Sequence, residues 1–204
     1  SLDQVGTIGR NVEDAALLLE AIAGADPLDA TCARRPAPVL APELERGVDG
    51  LVIGVPEEYF PETLDPGVRA AAESAIDRLA AAGASIRPVS LPSTPQAIPT
   101  YYVIGPAEAS SNLARFDGVR YGVRGDGAGI DEMMTATRTA GFGQEVKRRI
   151  LLGTYVLSAG HHERYYGRAQ RVRARIAADF DAVFGAGVDL LFTPTTPGPD
   201  GTSA

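Results

Sequence analysis

Ser110-Ser111 and Lys147 come first, because serine–lysine pairs can form and break acyl-enzymes and this chain has a single lysine beside 18 arginines. A nucleophilic serine needs an exposed, sharply turned backbone and free amides to hold an oxyanion. Here both serines fall inside a helical pattern, Pro106-Ala-Glu-Ala-Ser-Ser-Asn-Leu-Ala-Arg115, whose amides are already committed. No G-x-S-x-G elbow occurs, so these serines are expected to pack on a helix surface. His161-His162-Glu163 has the residue types of a metal site. Adjacent helical positions point about 100° apart, however, and cannot share one ion as an i, i+4 pair can. The glycines between 118 and 129 lead out of a helix with no Gly-Lys-Ser/Thr after them, which predicts a plain loop. Arginines 164, 168, 171, 173 and 175 lie off an apolar stripe and predict a solvated helix face rather than a phosphate site.

Arg149 differs from these. In a helix over 144–158, Val146, Arg149, Ile150 and Gly153 share one face, while Arg148 lies about 200° round from Val146 and points outward. An arginine on an inward face requires an anionic or carbonyl partner. The residues alone leave two readings open: a structural salt bridge to an acid such as Glu108, or an anionic ligand.

The elements that must position these groups are α/β in pattern. A helix is predicted over 12–23, capped by Asn11, with Glu13 and Asp14 in its first turn and Gly24 beyond its end. Its apolar residues cover most of the circumference, which predicts burial. Residues 26–50, rich in proline, read as a surface excursion. Leu51-Val-Ile-Gly-Val55 is a strand. A helix over 66–82 follows, with Asp65 as cap and Pro66 at its first position, and residues 84–91 read as a second strand. Together they form a βαβ crossover. Helices are predicted over 99–115, with a bend near Gly105-Pro106, and over 131–139, 144–158 and 162–184. A third strand covers 188–193. The architecture is a sheet with helices packed over it.

Composition removes several classes of function. The chain has 204 residues, and 19 basic against 26 acidic ones leave a net charge of −7, which argues against a nucleic-acid surface built on overall positive charge. One cysteine, Cys32, cannot form an internal disulfide, and two histidines cannot complete a His/Cys zinc set. No apolar run reaches the roughly 20 residues of a membrane span. A reducing, cytoplasmic setting is the expectation.

Several stretches resemble the amidase signature family: Ser1-Leu-Asp-Gln-Val-Gly, Arg10-Asn-Val-Glu-Asp-Ala-Ala, Gly24-Ala-Asp-Pro-Leu-Asp and Gly50-Leu-Val-Ile-Gly-Val-Pro. Two more are narrower. Residues 107–122, Ala-Glu-Ala-Ser-Ser-Asn-Leu-Ala-Arg-Phe-Asp-Gly-Val-Arg-Tyr-Gly, and residues 141–155, Gly-Phe-Gly-Gln-Glu-Val-Lys-Arg-Arg-Ile-Leu-Leu-Gly-Thr-Tyr, resemble the A-subunit branch of the glutamyl-tRNA(Gln) amidotransferases. The resemblance spans essentially the whole chain. It implies part of the family's mixed sheet covered by helices, with a βαβ unit and a helical region. Residues 1–204 then correspond to the middle-to-late part of a single amidase domain, truncated at both ends.

In that family a lysine–serine–serine triad lies in a Gly/Ser-rich region ahead of the segment seen here. Neither Lys147 nor Ser110-Ser111 matches it, so no catalytic residue is assigned and the chain alone is expected to be inactive. The implied reaction of the intact subunit is glutamine hydrolysis. The ammonia goes to a partner that uses ATP and magnesium to convert Glu-tRNA(Gln) to Gln-tRNA(Gln), in a complex with B and C subunits. No cofactor is implied for this chain. The resemblance further implies that Arg149 and Tyr101, with Tyr102 as the alternative, contact the glutamine substrate. Two readings compete with this one: another amidase-signature hydrolase of small amides, and a non-catalytic α/β interaction module.

Overall fold

A computed structural model describes residues 1–120 and 122–198. The chain divides into two compact units, Leu2–Pro88 with Gly187–Ala204, and Val89–Ala186 with Ser1.

The first unit is built on a sheet. Strand β1 (Val52–Pro56) is its middle member, in the order β2-β1-β3. Its apolar run fits a strand covered on both faces, and Ile53 and Pro56 are buried. Strand β2 (Ser85–Val89) is its neighbour, reached through helix α2 (Pro66–Ala81). Asp65 caps α2 by accepting from the amides of Gly67 at 2.8 Å and Val68 at 3.0 Å. Pro66 then occupies the first turn, where its missing N–H costs nothing.

Strand β3 runs parallel to β1, with Ile53 opposite Leu190 and Gly54 opposite Leu191. It is shorter than predicted, Leu190–Leu191 instead of 188–193. The ladder is cut at one end by a side chain: Val52 donates its amide to the Asp189 carboxylate at 2.8 Å. At the other end, Pro194 has no N–H to extend it.

Helix α1 (Val12–Ile22) begins where predicted, with the Asn11 side chain accepting from the Asp14 amide at 2.7 Å. The predicted burial is corrected. Ala16 is its one buried residue, while Val12 is 71% and Ile22 57% exposed. The reason is a shortage of packing partners. Beyond the Thr7 hydroxyl on the Ala15 carbonyl, α1 is tied to the excursion over 26–50, where the Glu20 carboxylate accepts the amides of Leu40 and Ala41.

The second unit is helical. Helix α3 (Ala97–Leu113) continues through Pro106 and packs chiefly against α5 (Gln144–Leu157), with Ile104 and Ala107 buried. The approach is close. A β-carbon on Gly153 would lie 2.0 Å from the Pro106 carbonyl oxygen, so only glycine permits this crossing. Helix α4 (Ile130–Gly141) is packed by the glycine-rich loop, where a β-carbon on Gly127 would fall 2.3 Å from the Met133 amide nitrogen. Gly125 and Gly127 thus serve close packing against the α4 backbone.

Helix α6 (Arg168–Gly185) starts later than the predicted 162, because residues Glu163–Gly167 form a wider π-helical turn. Among the described residues, no helix is long and apolar enough to cross a membrane.

Candidate functional site

The α3–α5 crossing brings together two residues 48 apart in sequence. Arg149 Nη1 donates to the Tyr101 hydroxyl at 3.1 Å. Its Nε donates to Glu145 Oε1 at 2.9 Å, one helical turn back on α5. The other oxygen of that carboxylate, Oε2, takes Arg148 Nη2 at 2.7 Å. Glu145 therefore bridges two arginines. Sequence reasoning passed it over, although its i, i+3 and i, i+4 spacing to Arg148 and Arg149 was the available signal.

Tyr101 is placed by α3. Its ring stands edge-on to Tyr102, with centroids 5.5 Å apart, and its edge lies against Gly105, where an added β-carbon would be 3.4 Å from the ring. Tyr102 is the more exposed of the two and is not the residue that receives the Arg149 bond.

Two expectations about Arg149 change. Its side chain is 40% exposed rather than inward and buried. Its ionic partner is Glu145, not Glu108, because Glu108 accepts from the Ser1 hydroxyl and faces Arg173 at 4.0 Å. Arg148 is 69% exposed and reaches back only to Glu145 among the described residues.

The electrostatics follow from these bonds. Hydrogen bonds from Arg148, and then Arg149, hold the Glu145 carboxyl below its ordinary range. The bond to Glu145, and then that to Tyr101, raise Arg149 above its already high value. A guanidinium has five N–H donors. Here Nε and one Nη1 hydrogen are engaged, and Nη2 has no partner among the described residues. The arrangement is a fixed cation with free donors beside a phenol, chemistry suited to a carboxylate.

The other candidates are occupied in structural roles. Ser110 Oγ lies 3.0 Å from Thr154 Oγ1 across the α3–α5 seam, and Lys147 donates to the Thr139 carbonyl at 2.9 Å. The lysine and Ser110 are thus directed to different partners. His161 packs its ring on Tyr155 at 4.3 Å and bonds Ser158 through Nδ1 at 3.1 Å. His162 lies against Tyr166 instead, so the neighbouring imidazoles do not converge. In the arginine run, Arg171 pairs with Glu163 at 2.7 Å and Arg173 bonds the Ser1 hydroxyl at 2.6 Å.

Comparison with known proteins places this geometry in context. The A subunit of glutamyl-tRNA(Gln) amidotransferase from Acidobacterium capsulatum is 57% identical over 200 residues, which cover 98% of this chain and 42% of that protein. Its counterpart from Methylorubrum extorquens is 52% identical over 197 residues, 97% of this chain and 40% of that protein. The chain thus spans about two fifths of the length of the curated relatives it matches. The crystal structure of the glutamyl-tRNA(Gln) amidotransferase A subunit from Thermotoga maritima superposes with a TM-score of 0.66 at 37% identity, covering 92% of this chain and 36% of that one. A bacterial aryl acylamidase of the amidase signature family shares the fold, with a TM-score of 0.63 at 18% identity over 95% of this chain and 38% of that one. The family model described as Amidase matches residues 1–202, and with it the α/β architecture and the motifs along its length agree: the chain belongs to the amidase family.

Proposed function

We propose that this chain is part of the glutaminase subunit of a tRNA-dependent amidotransferase, working in the cytoplasm, and that Arg149 and Tyr101 bind its glutamine. In this reading the intact subunit hydrolyses glutamine. The ammonia passes to a partner within a complex with B and C subunits, where ATP and magnesium serve the conversion of Glu-tRNA(Gln) to Gln-tRNA(Gln). The observation that carries the proposal is the 3.1 Å bond from Arg149 to Tyr101 across α3 and α5, in a chain whose relatives are subunits of that amidotransferase.

Glutamine offers an α-carboxylate, and the free Nη donors of Arg149 suit it. Tyr101 restrains the guanidinium and presents its own hydroxyl beside the same ligand. The net charge of −7 fits a division of labour in which a partner holds most of the tRNA.

The test uses the full-length protein assembled with its partners. Hydrogen bonds to charged groups are the stronger kind, so Arg149→Ala should weaken glutamine use about 10- to 100-fold. Ammonia supplied directly should support the reaction at its normal rate, because it bypasses the glutamine pocket. Unchanged glutamine kinetics in Arg149→Ala, with only a lowered Tm, would assign the arginine to structure alone.

A further inference from the structure

Glu145 presents a difficulty for a carboxylate-binding arginine. It sits on Arg149 Nε at 2.9 Å, and a carboxylate so placed competes for the charge that an anionic substrate needs. A Glu145–Arg149 pair by itself would be neutral. Arg148 changes this balance: it occupies the second oxygen of Glu145 at 2.7 Å, so the three groups together carry one positive charge. Within that group, Arg149 keeps an Nη2 with no partner among the described residues.

The same contacts set direction. A guanidinium can receive a carboxylate side-on, through Nε and one Nη, or end-on through both Nη groups. Glu145 fills the Nε position and closes the side-on approach. Tyr101 takes one Nη1 hydrogen at 3.1 Å and leaves the other. The end-on approach, through the Nη groups, does not use the position that Glu145 fills. Resting on the glutamine reading above, we propose that Glu145 and Arg148 are positioning residues for Arg149: Glu145 orients its guanidinium for end-on capture of the substrate carboxylate, and Arg148 cancels the charge that Glu145 would otherwise set against that substrate.

Arg148 and Glu145 do not touch the substrate in this scheme: removing Glu145 loosens the guanidinium, and removing Arg148 leaves the Glu145 charge uncancelled, while Arg149 itself stays in place. Each contact is an exposed ion pair, which limits the effect to about 2- to 5-fold. The experiment measures glutamine KM and kcat, and ammonia-supported rates, in the assembled amidotransferase. Glu145→Ala should raise the glutamine KM about 2- to 5-fold with kcat and the ammonia-supported rate held at wild-type values. Glu145→Gln keeps an acceptor for Nε and should restore most of the loss. Arg148→Ala should raise KM by a similar factor, Arg148→Lys should restore it, and added salt should shrink the difference between them.

Wild-type glutamine KM in both Glu145→Ala and Arg148→Ala, with Arg149→Ala impaired, overturns the positioning roles and spares the glutamine reading. A silent Arg149→Ala overturns the reading itself. Parallel loss of glutamine- and ammonia-supported rates in Glu145→Ala also overturns the inference, because that pattern marks a general structural role. Should Glu145→Ala fail to fold, the Arg148→Ala and Arg148→Lys pair decides the matter, since the charge argument predicts loss in one and recovery in the other.

Discussion

Glu145 resists protonation in the folded chain because Arg148 and Arg149 both donate to its carboxylate. The direction of that shift makes a prediction about stability. A carboxyl whose folded pKa lies below the unfolded value binds protons less readily when folded, so the unfolded chain takes up more of them as pH falls. The contribution of Glu145 is therefore complete above its ordinary value of 4.5 and is lost as pH drops through the lower folded value. Thermal melts of the full-length wild-type protein and of Glu145→Gln should differ by a constant amount from about pH 8 to pH 5.5 and converge in more acidic buffer. A difference that persists unchanged at the acid end would mean the carboxylate charge is not what the two arginines hold. Arg149 itself shows what residue types reveal and what they conceal. Its position beside Val146, Ile150 and Gly153 on one helix face was legible from spacing, and the need for a partner followed from its charge. The partner's identity was not, because the phenol of Tyr101 comes from another helix and the acid was a neighbour on the same one.

At the scale of elements, the α3–α5 crossing is what makes the Arg149–Tyr101 pair possible, and Gly153 sets how close it is. Replacing a helical glycine by alanine ordinarily stabilises by about 0.5–1 kcal/mol. At Gly153 the new β-carbon would meet a backbone oxygen at 2.0 Å and the Ser110 β-carbon at 2.6 Å, so strain wins. Gly153→Ala should lower stability by about 3 kcal/mol, near the top of the range for overpacking, and, on the glutamine reading proposed above, weaken glutamine use by forcing the helices apart. Gly141, at the end of α4, has nothing within 4 Å of such a carbon, and Gly141→Ala should be neutral or mildly stabilising in the same melts. Equal effects at the two glycines would remove close packing as the cause. Local signals predicted these elements well where they were self-contained: the Asp65-Pro66 start of α2, the Asn11 cap of α1 and the helical stripe of α5 depend on residues a few positions apart. They failed where distant chain decides. The length of β3 turns on the Asp189 side chain meeting Val52, the burial of α1 on what packs against it, and the start of α6 on a π turn that apolar periodicity does not register.

For the molecule as a whole, the apolar surface left uncovered is the quantity to explain. In the sheet unit, Val12, Leu18 and Ile22 of α1 are exposed. In the helical unit, Ile98 at the start of α3 and Leu151 and Leu152 on α5 are exposed as well, Leu151 to 71%. Single exposed leucines are ordinary on protein surfaces, but grouped ones on neighbouring turns of a helix are a liability for a chain in water. Residues 18 and 22 of α1 lie one turn apart on the same side of the helix, and residues 151 and 152 of α5 are neighbours in sequence. Their relatives are more than twice as long as this chain, which matches about 40% of their length. The 204-residue chain on its own should therefore bind a hydrophobic dye and associate with itself, increasingly so with concentration, as read by dye fluorescence and light scattering. Leu18→Glu together with Leu151→Glu should reduce both signals while leaving helix content intact, because neither residue is in the buried core and a charge on each face opposes association. A chain that stays monomeric, melts in one sharp transition and leaves the dye dark would mean that these faces find partners within the same molecule.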